Sequence, residues 1–544
     1  MSKVVLISLY DESCVGARAL AAYLEEQGHE CHIIHFKAFR VPIVRYDDKE
    51  TWRMIEESGV TTIPTFFPEG VRFVSFPTPI TDKERQLLAD HIAEIGPGLV
   101  GFSLYSTHVP LARELTGLIR DRLPEVAVAW GGVHPAVVPE DCFPDADFVC
   151  TGEGEYPVTE FLKDPTRRDI KGLWFYDRRR NEIIRNPMRE LIEDLDSLPF
   201  TQWGVREYLI ENDEFSAEPM DNVWACGHFR ISTTRNCPFR CAYCVHSVLR
   251  DRLKGLGTYV RRRSVDHVIE EIVLRKRQFN LQSVLFSDEL FIMDMKWLRE
   301  FVEKYKAAGL DMPFYGTAQP QITTREMLVL LRNAGMDDAC MGIQSGSERV
   351  LHDVFERKAT LDQIRQMARW FHELDFKRVQ FDIVSNTPYE SEEDCRKTLD
   401  LLCELPKPFD LFVYKLVLFP TCKMDRMGHR RYDLDEKTFF FYNMLYLLTQ
   451  KDRLPATTIK ALADDPYLRE NPMLLSDLAC AVLGEDTYTR EMGWKIKYLE
   501  SRLAQRTLGN LLKEGAKGAL PSWLWNFLRR GKAALSSGTA AGRS

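Results

Sequence analysis

The sequence predicts an α/β chain of three parts: a doubly wound, Rossmann-like N-terminal domain, a central partial (β/α)6 barrel and a mostly helical C-terminal region. Three observations carry this reading. Short apolar runs without helical period alternate with helical stretches over about the first 165 residues, the pattern of parallel strands buried on both faces. The alternation resumes at Phe229 and yields six strand candidates. After about Lys423 it stops, and only helical patterning remains. The expected divisions are a domain at 1–165, a linker at 166–222, a barrel at 223–425 and a helical region at 426–544.

In the first domain, residues 4–9 form a strand, 17–27 a helix stopped by Gly28, and 32–36 the next strand. Strands at 99–103 and 126–130 follow, with a helix at 109–123 between them. Strands joined by helices run parallel, and ligands of such sheets bind beyond the carboxyl ends of the strands. Three turns lie there: Asp11 to Gly16, Ser103-Leu104-Tyr105, and Gly131-Gly132-Val133-His134-Pro135. In the linker, the polar run 177–182 between two apolar runs reads as a hairpin.

The barrel strands are expected at 229–233, 283–287, 314–317, 339–343, 379–383 and 411–415, with helices such as 265–278 and 361–374 between them. Barrel chemistry sits at the carboxyl ends of strands. Ser287-Asp288-Glu289, Gln319, Gln344-Ser345-Gly346-Ser347 and Asp382 stand there. Cys340 reads as core, Arg261-Arg262-Arg263 as a solvated face or helix entry, and Ser391 and Glu393 as turn or cap residues. Beyond the barrel, the apolar run 438–449 is too short to span a bilayer and reads as helix packing or a cap over the barrel. The aromatic and basic run 523–530 packs at the periphery or touches a membrane surface, and 535–544 reads as disordered.

A net charge of −8 gives no sign of broad nucleic-acid binding, and 45% hydrophobic with 28% charged residues is an ordinary globular composition. The thirteen cysteines are scattered except for one cluster, a usage that fits a reducing cytoplasm. The N-terminus reads as a first strand, not a signal peptide.

The exception is Cys237, Cys241 and Cys244, with no fourth cysteine before Cys340. Three thiolates on one loop suit three irons of a 4Fe–4S cube, leaving the fourth iron open. Zinc is the competing reading, with His246 completing a Cys3His set, but zinc ligands usually come as two pairs on separate loops. The spacing Cys-x3-Cys-x2-Cys, with Tyr243 between the last two cysteines, resembles the radical S-adenosylmethionine (SAM) enzymes. The three N-terminal turns resemble a cobalamin-binding domain, whose pattern is Asp-x-His-x-x-Gly, then Ser-x-Leu, then Gly-Gly; Gly152-Glu153-Gly154-Glu155 resembles the end of such domains. Ser13 stands where the cobalt-ligating histidine would be, so a bound cobalamin is expected to lack that ligand.

The joint resemblance, to radical SAM proteins with a cobalamin-binding domain, covers roughly residues 1–425. It implies a 4Fe–4S cluster on the three cysteines, SAM on the open iron, and cobalamin. It places Ser13, Ser103, Gly131 and Gly132 near the cobalamin, and Asp288, Glu289, Gln344 and Ser345 near SAM. Gln344 replaces the family's usual glutamate. The implied activity is methyl transfer to an unactivated carbon of a small-molecule or lipid substrate, with a flavodoxin- or ferredoxin-type electron donor. A radical cyclase or carbon–carbon coupling enzyme of the same architecture, or a non-catalytic corrinoid or iron–sulfur sensor, are the alternatives.

Overall fold

The computed structural model describes residues 1–11, 13–37, 63–67, 70–74, 80–217, 228–279, 281–427, 431–432 and 434–483. The strand β1 (Lys3–Leu9) is buried at six consecutive positions, so it needs helices on both faces. β2 (Glu30–Phe36) follows it, while β3 (Ile63–Phe67) and β4 (Gly70–Val74) belong to another sheet. β5 (Leu99–Ser103), β6 (Ala127–Gly131) and β7 (Phe148–Cys150) continue the first sheet. β8 (Leu173–Asp177) and β9 (Glu182–Arg185) extend one edge, and β10 (Glu207–Glu211) and β11 (Glu214–Ser216) the other. The order is β11-β10-β2-β1-β5-β6-β7-β8-β9, parallel from β10 to β7. Helices Val15–Glu26, Asp82–Ile95, Val109–Arg122 and Glu155–Lys163 accompany it, and two apolar cores result. The strand order reverses about β1, so the crevice beyond β1 and β5 is the place where such a sheet takes a ligand.

The second sheet is built from β12 (His228–Ile231), β15 (Ser283–Phe286), β16 (Phe314–Ala318), β17 (Met336–Gln344), β18 (Arg378–Ser385) and β19 (Asp410–Lys415). These six pair in that order, all parallel. Along β18 buried and half-exposed residues alternate strictly after Arg378. The buried set joins the large core, which includes helix residues such as Ile272 and Phe301. The alternate set, including Arg230, Tyr315, Cys340, Asp382 and Tyr414, lies on the opposite face. A short ladder, β13 (Thr234–Arg235) with β14 (Arg261–Arg262), stands apart from both sheets.

The C-terminal run forms helices Glu436–Leu448, Ala456–Ala463, Pro466–Glu470 and Met473–Leu483. The first is buried from Phe441 through Leu448, on every side, as a helix apolar all round must be. No helix among the described residues is long and apolar enough to cross a membrane. The runs 523–530 and 535–544 lie outside the described residues.

Two features differ from the sequence expectation. Residues 173–216, expected within a linker, supply four strands of the N-terminal sheet, of which only the β8–β9 hairpin was legible. Conversely β3, from within the first 165 residues, pairs antiparallel with β19, and β4 pairs antiparallel with β3, so the two extend the barrel sheet. Strand partners are set by the tertiary fold, which local pattern does not encode.

Candidate cofactor-binding and active site

The three cysteines lie on the loop between β13 and helix Val245–Arg252, whose N-cap is Cys244. Thr233 and Thr234 at the root of this loop are clamped by Asp288. The backbone N–H groups of Thr233 (2.8 Å) and Thr234 (2.6 Å) donate to Oδ1, as does the Thr234 hydroxyl (2.6 Å), and the Thr233 hydroxyl donates to Oδ2 (3.1 Å). Asn236 then turns the chain with φ 70° and donates its amide to the Tyr259 carbonyl. Behind the loop, Ala242 N–H donates to Phe355 O, Met424 N–H donates to Ala242 O, and Tyr243 packs edge-on against Phe355.

All three thiols are half-exposed. Burial pushes Cys237 up to about 11 and Cys244 up to about 12, so as free thiols both hold their protons, which iron must displace. Among the described residues, no three His, Cys, Asp or Glu side chains are grouped to hold a single metal ion. A cube asks for a different arrangement, since each thiolate meets its own iron. The zinc reading also loses its fourth ligand: the buried His246 ring lies 3.3 Å from Glu289 Oε1 and 3.2 Å from the Tyr259 hydroxyl, one nitrogen to each. The donor set therefore fits a three-cysteine cluster.

The two adjacent carboxylates have different tasks. Asp288 is buried, its charge enclosed by the threonine bonds; burial raises its pKa. Glu289 is more exposed and pairs with His246 beside Cys244. Burial works to raise its pKa, but the His246 hydrogen bond and charge bring the net shift below the usual value. Asp288 is thus spent on the loop, while the Glu289 carboxylate is the more open of the two at this strand end.

Arg357, which sequence reasoning missed, is a buried guanidinium at the loop. Its Nη1 lies 3.9 Å from Cys241 Sγ, its Nη2 donates to Gln319 Oε1 at 2.6 Å and to Gly342 O, and its buried Nε has no hydrogen-bond partner among the described residues. Nothing in the sequence distinguishes it from its charged neighbours Glu356 and Lys358. Gln344 ends β17 with φ 70°, and its amide occupies the space a Cβ on Gly342 would need. Ser345, by contrast, is fully buried, 3.4 Å from the Thr398 hydroxyl and accepting from Ser347 N–H. It belongs to the joint between β17 and helix Glu392–Glu404, where Ser391 is the N-cap.

On the N-terminal side, Asp11 Oδ1 accepts from the Ser13 hydroxyl (2.6 Å) and from the N–H groups of Ser13 and Cys14, fixing the turn after β1. Ser103 ends β5, and Leu104 N–H donates to Gly131 O. Gly132 has φ 94°, and a Cβ there would sit 2.7 Å from Leu104 N, so only glycine lets these two turns touch. Gly131 has no such crowding. His134 is held by Ser106 and Asp141.

A cavity of about 510 Å³ joins the two halves. The N-terminal domain contributes Tyr10, Asp11, Ser13 and 105–108; the cysteine loop contributes Tyr243 and Cys244; the barrel contributes Arg230, Val384, Tyr414 and the segment 415–419. The Tyr10 hydroxyl is buried without a hydrogen-bond partner among the described residues, at the crevice beyond β1. Arg230 has no ion-pair partner among the described residues, whereas Lys415 pairs with Glu436. The triple arginine is not a solvated face: Arg261 bonds Glu153, Arg262 stacks 3.6 Å from the Trp297 ring centroid, and Arg263 pairs with Glu271 at 2.7 Å.

Comparison with known proteins gives two family matches: the Radical SAM superfamily over residues 231–402 and the B12 binding domain over residues 80–162. The first spans all three cysteines; the second spans Ser103, Gly131 and Gly132 but not Ser13. An uncharacterized methyltransferase of Pyrococcus horikoshii is 25% identical over 48% of this chain and 55% of its own length. The cytidylyl-2-hydroxyethylphosphonate methyltransferase of Streptomyces wedmorensis is 24% identical over 56% of this chain and 62% of its own. The chain thus spans between half and two-thirds of these curated relatives. Among solved structures, the cobalamin-dependent SAM radical enzyme OxsB, with aqua-cobalamin and SAM bound, shares the fold at TM-score 0.58 and 14% identity, over 98% of this chain and 84% of its own. The cavity between a B12 binding domain and a three-cysteine barrel loop accords with these matches: the chain carries a radical SAM domain and a B12 binding domain, with a 4Fe–4S cluster, SAM and cobalamin as cofactors.

Proposed function

We propose that this protein is a cobalamin-dependent radical SAM methyltransferase acting on an unactivated carbon of a small-molecule substrate. The observation that carries the reading is a cavity bordered jointly by the crevice beyond β1 and β5, by the cysteine loop and by the barrel. When bound, the cofactors supply a hydrogen-abstracting radical and a transferable methyl group, chemistry that belongs to them. The chain's own residues hold and orient. Cys237, Cys241 and Cys244 ligate the cluster. Arg357, buried beside Cys241 with an Nε unpaired among the described residues, complements the SAM carboxylate, and Glu289 and Gln344 face the rest of that molecule. Tyr10 and Ser13, which line the cavity, would contact cobalamin, and Ser103, Gly131 and Gly132 shape the turns that would hold it. Tyr243, Tyr414 and Arg230 line the remaining space for substrate. Two curated relatives are named methyltransferases, while an anaerobic magnesium-protoporphyrin IX monomethyl ester cyclase of Synechocystis is 25% identical over 51% of this chain, so the fate of the SAM methyl group separates methylation from ring closure.

The test is anaerobic reconstitution with iron, sulfide and cobalamin, then assay with methyl-labelled SAM. Release of 5′-deoxyadenosine with label in a product supports the reading. SAM cleavage without label transfer would favour a cyclase or coupling enzyme. Undiminished SAM cleavage by Cys241→Ala would overturn the cluster assignment.

A further inference from the structure

The turn Gly152-Glu153-Gly154-Glu155 follows β7 and opens helix Glu155–Lys163, yet none of it lines the cavity. Its two carboxylates reach across to the root of the cysteine loop. Arg235, two residues before Cys237, donates Nη1 to Glu153 Oε1 at 2.9 Å and Nη2 to Glu155 Oε1. Arg261 donates Nη1 to Glu153 Oε2 at 3.0 Å and to the Ile192 carbonyl at 2.8 Å, while Ile192 N–H donates to Glu153 Oε2 at 2.8 Å.

The arginines are directly opposite each other in the β13–β14 ladder, Arg235 against Arg261. Like charges at such a pair repel. Two strands of two residues make a weak ladder in any case. Glu153 lies between the two guanidinium groups and cancels the repulsion. Glu155 is buried at the first turn of its helix, where a negative charge is favoured. The facing arginines of the ladder are therefore charge-balanced by carboxylates that the N-terminal domain supplies.

We propose that Glu153 and Glu155 act as a latch that registers the cysteine loop against the cobalamin-binding domain, making them positioning residues for the electron and methyl chemistry in the shared cavity. Asp288 fixes the loop to the barrel, and the latch fixes it to the other domain. The loop is held from both sides, which sets the separation and orientation of the two cofactor sites. The proposal rests on the reading of a two-cofactor site given above.

The experiment uses the full chain and the double variant Glu153→Gln/Glu155→Gln, with Arg235→Lys as the conservative comparison. Hydrogen exchange, read without cofactors, should accelerate at least about tenfold in the amides of residues 234–244 of the double variant. Exchange in β1 and β18 should stay unchanged. Arg235→Lys keeps the charge but not the two-pronged grip, and should fall between. In the reconstituted holoprotein, electron paramagnetic resonance should show weaker relaxation of the cobalt(II) signal by the reduced cluster. Unchanged exchange in 234–244 overturns the latch. So does equal acceleration in β1 and β18, which would mark the glutamates as general stability elements. Failure to load cobalamin at all would instead sink the two-cofactor reading, and the exchange result would still decide the latch.

Discussion

Replacing Asp288 separates two tasks that a carboxylate at this strand end can have. In Asp288→Ala, the buried N–H groups of Thr233 and Thr234 lose their acceptor. Each buried donor left unpaired costs about 1–3 kcal/mol, so the loop root is destabilised by roughly 2–6 kcal/mol. Asp288→Asn is nearly isosteric. Its Oδ1 keeps the three bonds made there, and its amide nitrogen donates to the Thr233 hydroxyl in place of Oδ2. The variant loses charge assistance, on the order of 1 kcal/mol per bond, but no longer buries an ionisable group whose charged form burial already disfavours. Iron and sulfide per chain after anaerobic reconstitution should therefore fall severalfold in the alanine variant and stay near native in the asparagine variant. SAM affinity of clusters that do form, read from the change in the cluster's resonance spectrum, should be little affected in asparagine. Full iron in Asp288→Ala would refute the clamp. Full iron in both variants with SAM binding lost in both would assign the carboxylate to SAM.

Arg357→Gln should retain the cluster but weaken SAM binding about tenfold or more, as loss of a buried charged partner does; SAM titrations on the reconstituted variant check this, and native affinity would count against the carboxylate contact. Gly132→Ala should destabilise the N-terminal domain by roughly 2–5 kcal/mol, because its Cβ meets backbone atoms of Leu104 and its φ is 94°, whereas Gly131→Ala should cost under about 1 kcal/mol; urea denaturation of both decides. Glu207 is fully buried with Arg18 and His35. Burial opposes its charge, but these two bases hold its pKa at about 2, against an ordinary 4.5. A depressed carboxyl pKa adds stability that is present above pH 4.5 and fades as pH falls toward 2, about 3 kcal/mol in all. Glu207→Gln should be less stable at pH 6 and show a flatter loss of stability between pH 5 and 3; a native-like pH profile in the variant would reject the pairing.

The parts of the fold legible in sequence are those whose residues face one environment. The apolar runs of β1 and β5, buried on both faces, reveal themselves by composition. The helix Val265–Gln278 matches its expected bounds because Ser264 caps it and its buried face repeats at helical spacing. The cysteine loop is legible because its chemistry is local. β10 is not, because Glu-Tyr-Leu-Ile-Glu pairs with β2 across more than 170 residues of chain. The same limit hid Arg357, and it hid the division of labour between Asp288 and Glu289, which adjacent carboxylates cannot show without their partners. It also made Arg261 to Arg263 look solvated, although Arg261 and Arg262 meet partners from distant segments and Arg263 pairs with Glu271 of the helix that follows it.

The pair β3 and β4 leaves the first sheet after β2, joins the barrel edge at β19, and the chain then returns to β5. The two domains are thus interlaced rather than strung in series. Neither is a transferable cassette: a barrel begun at residue 223 would leave the β19 edge open, a template for intermolecular strand pairing. A cobalamin-binding half ending at residue 165 would lack β8 to β11 and the Glu207 partner of Arg18. Chimeras that exchange one half for that of a relative must therefore carry residues 63–74 with the barrel and 173–216 with the first sheet.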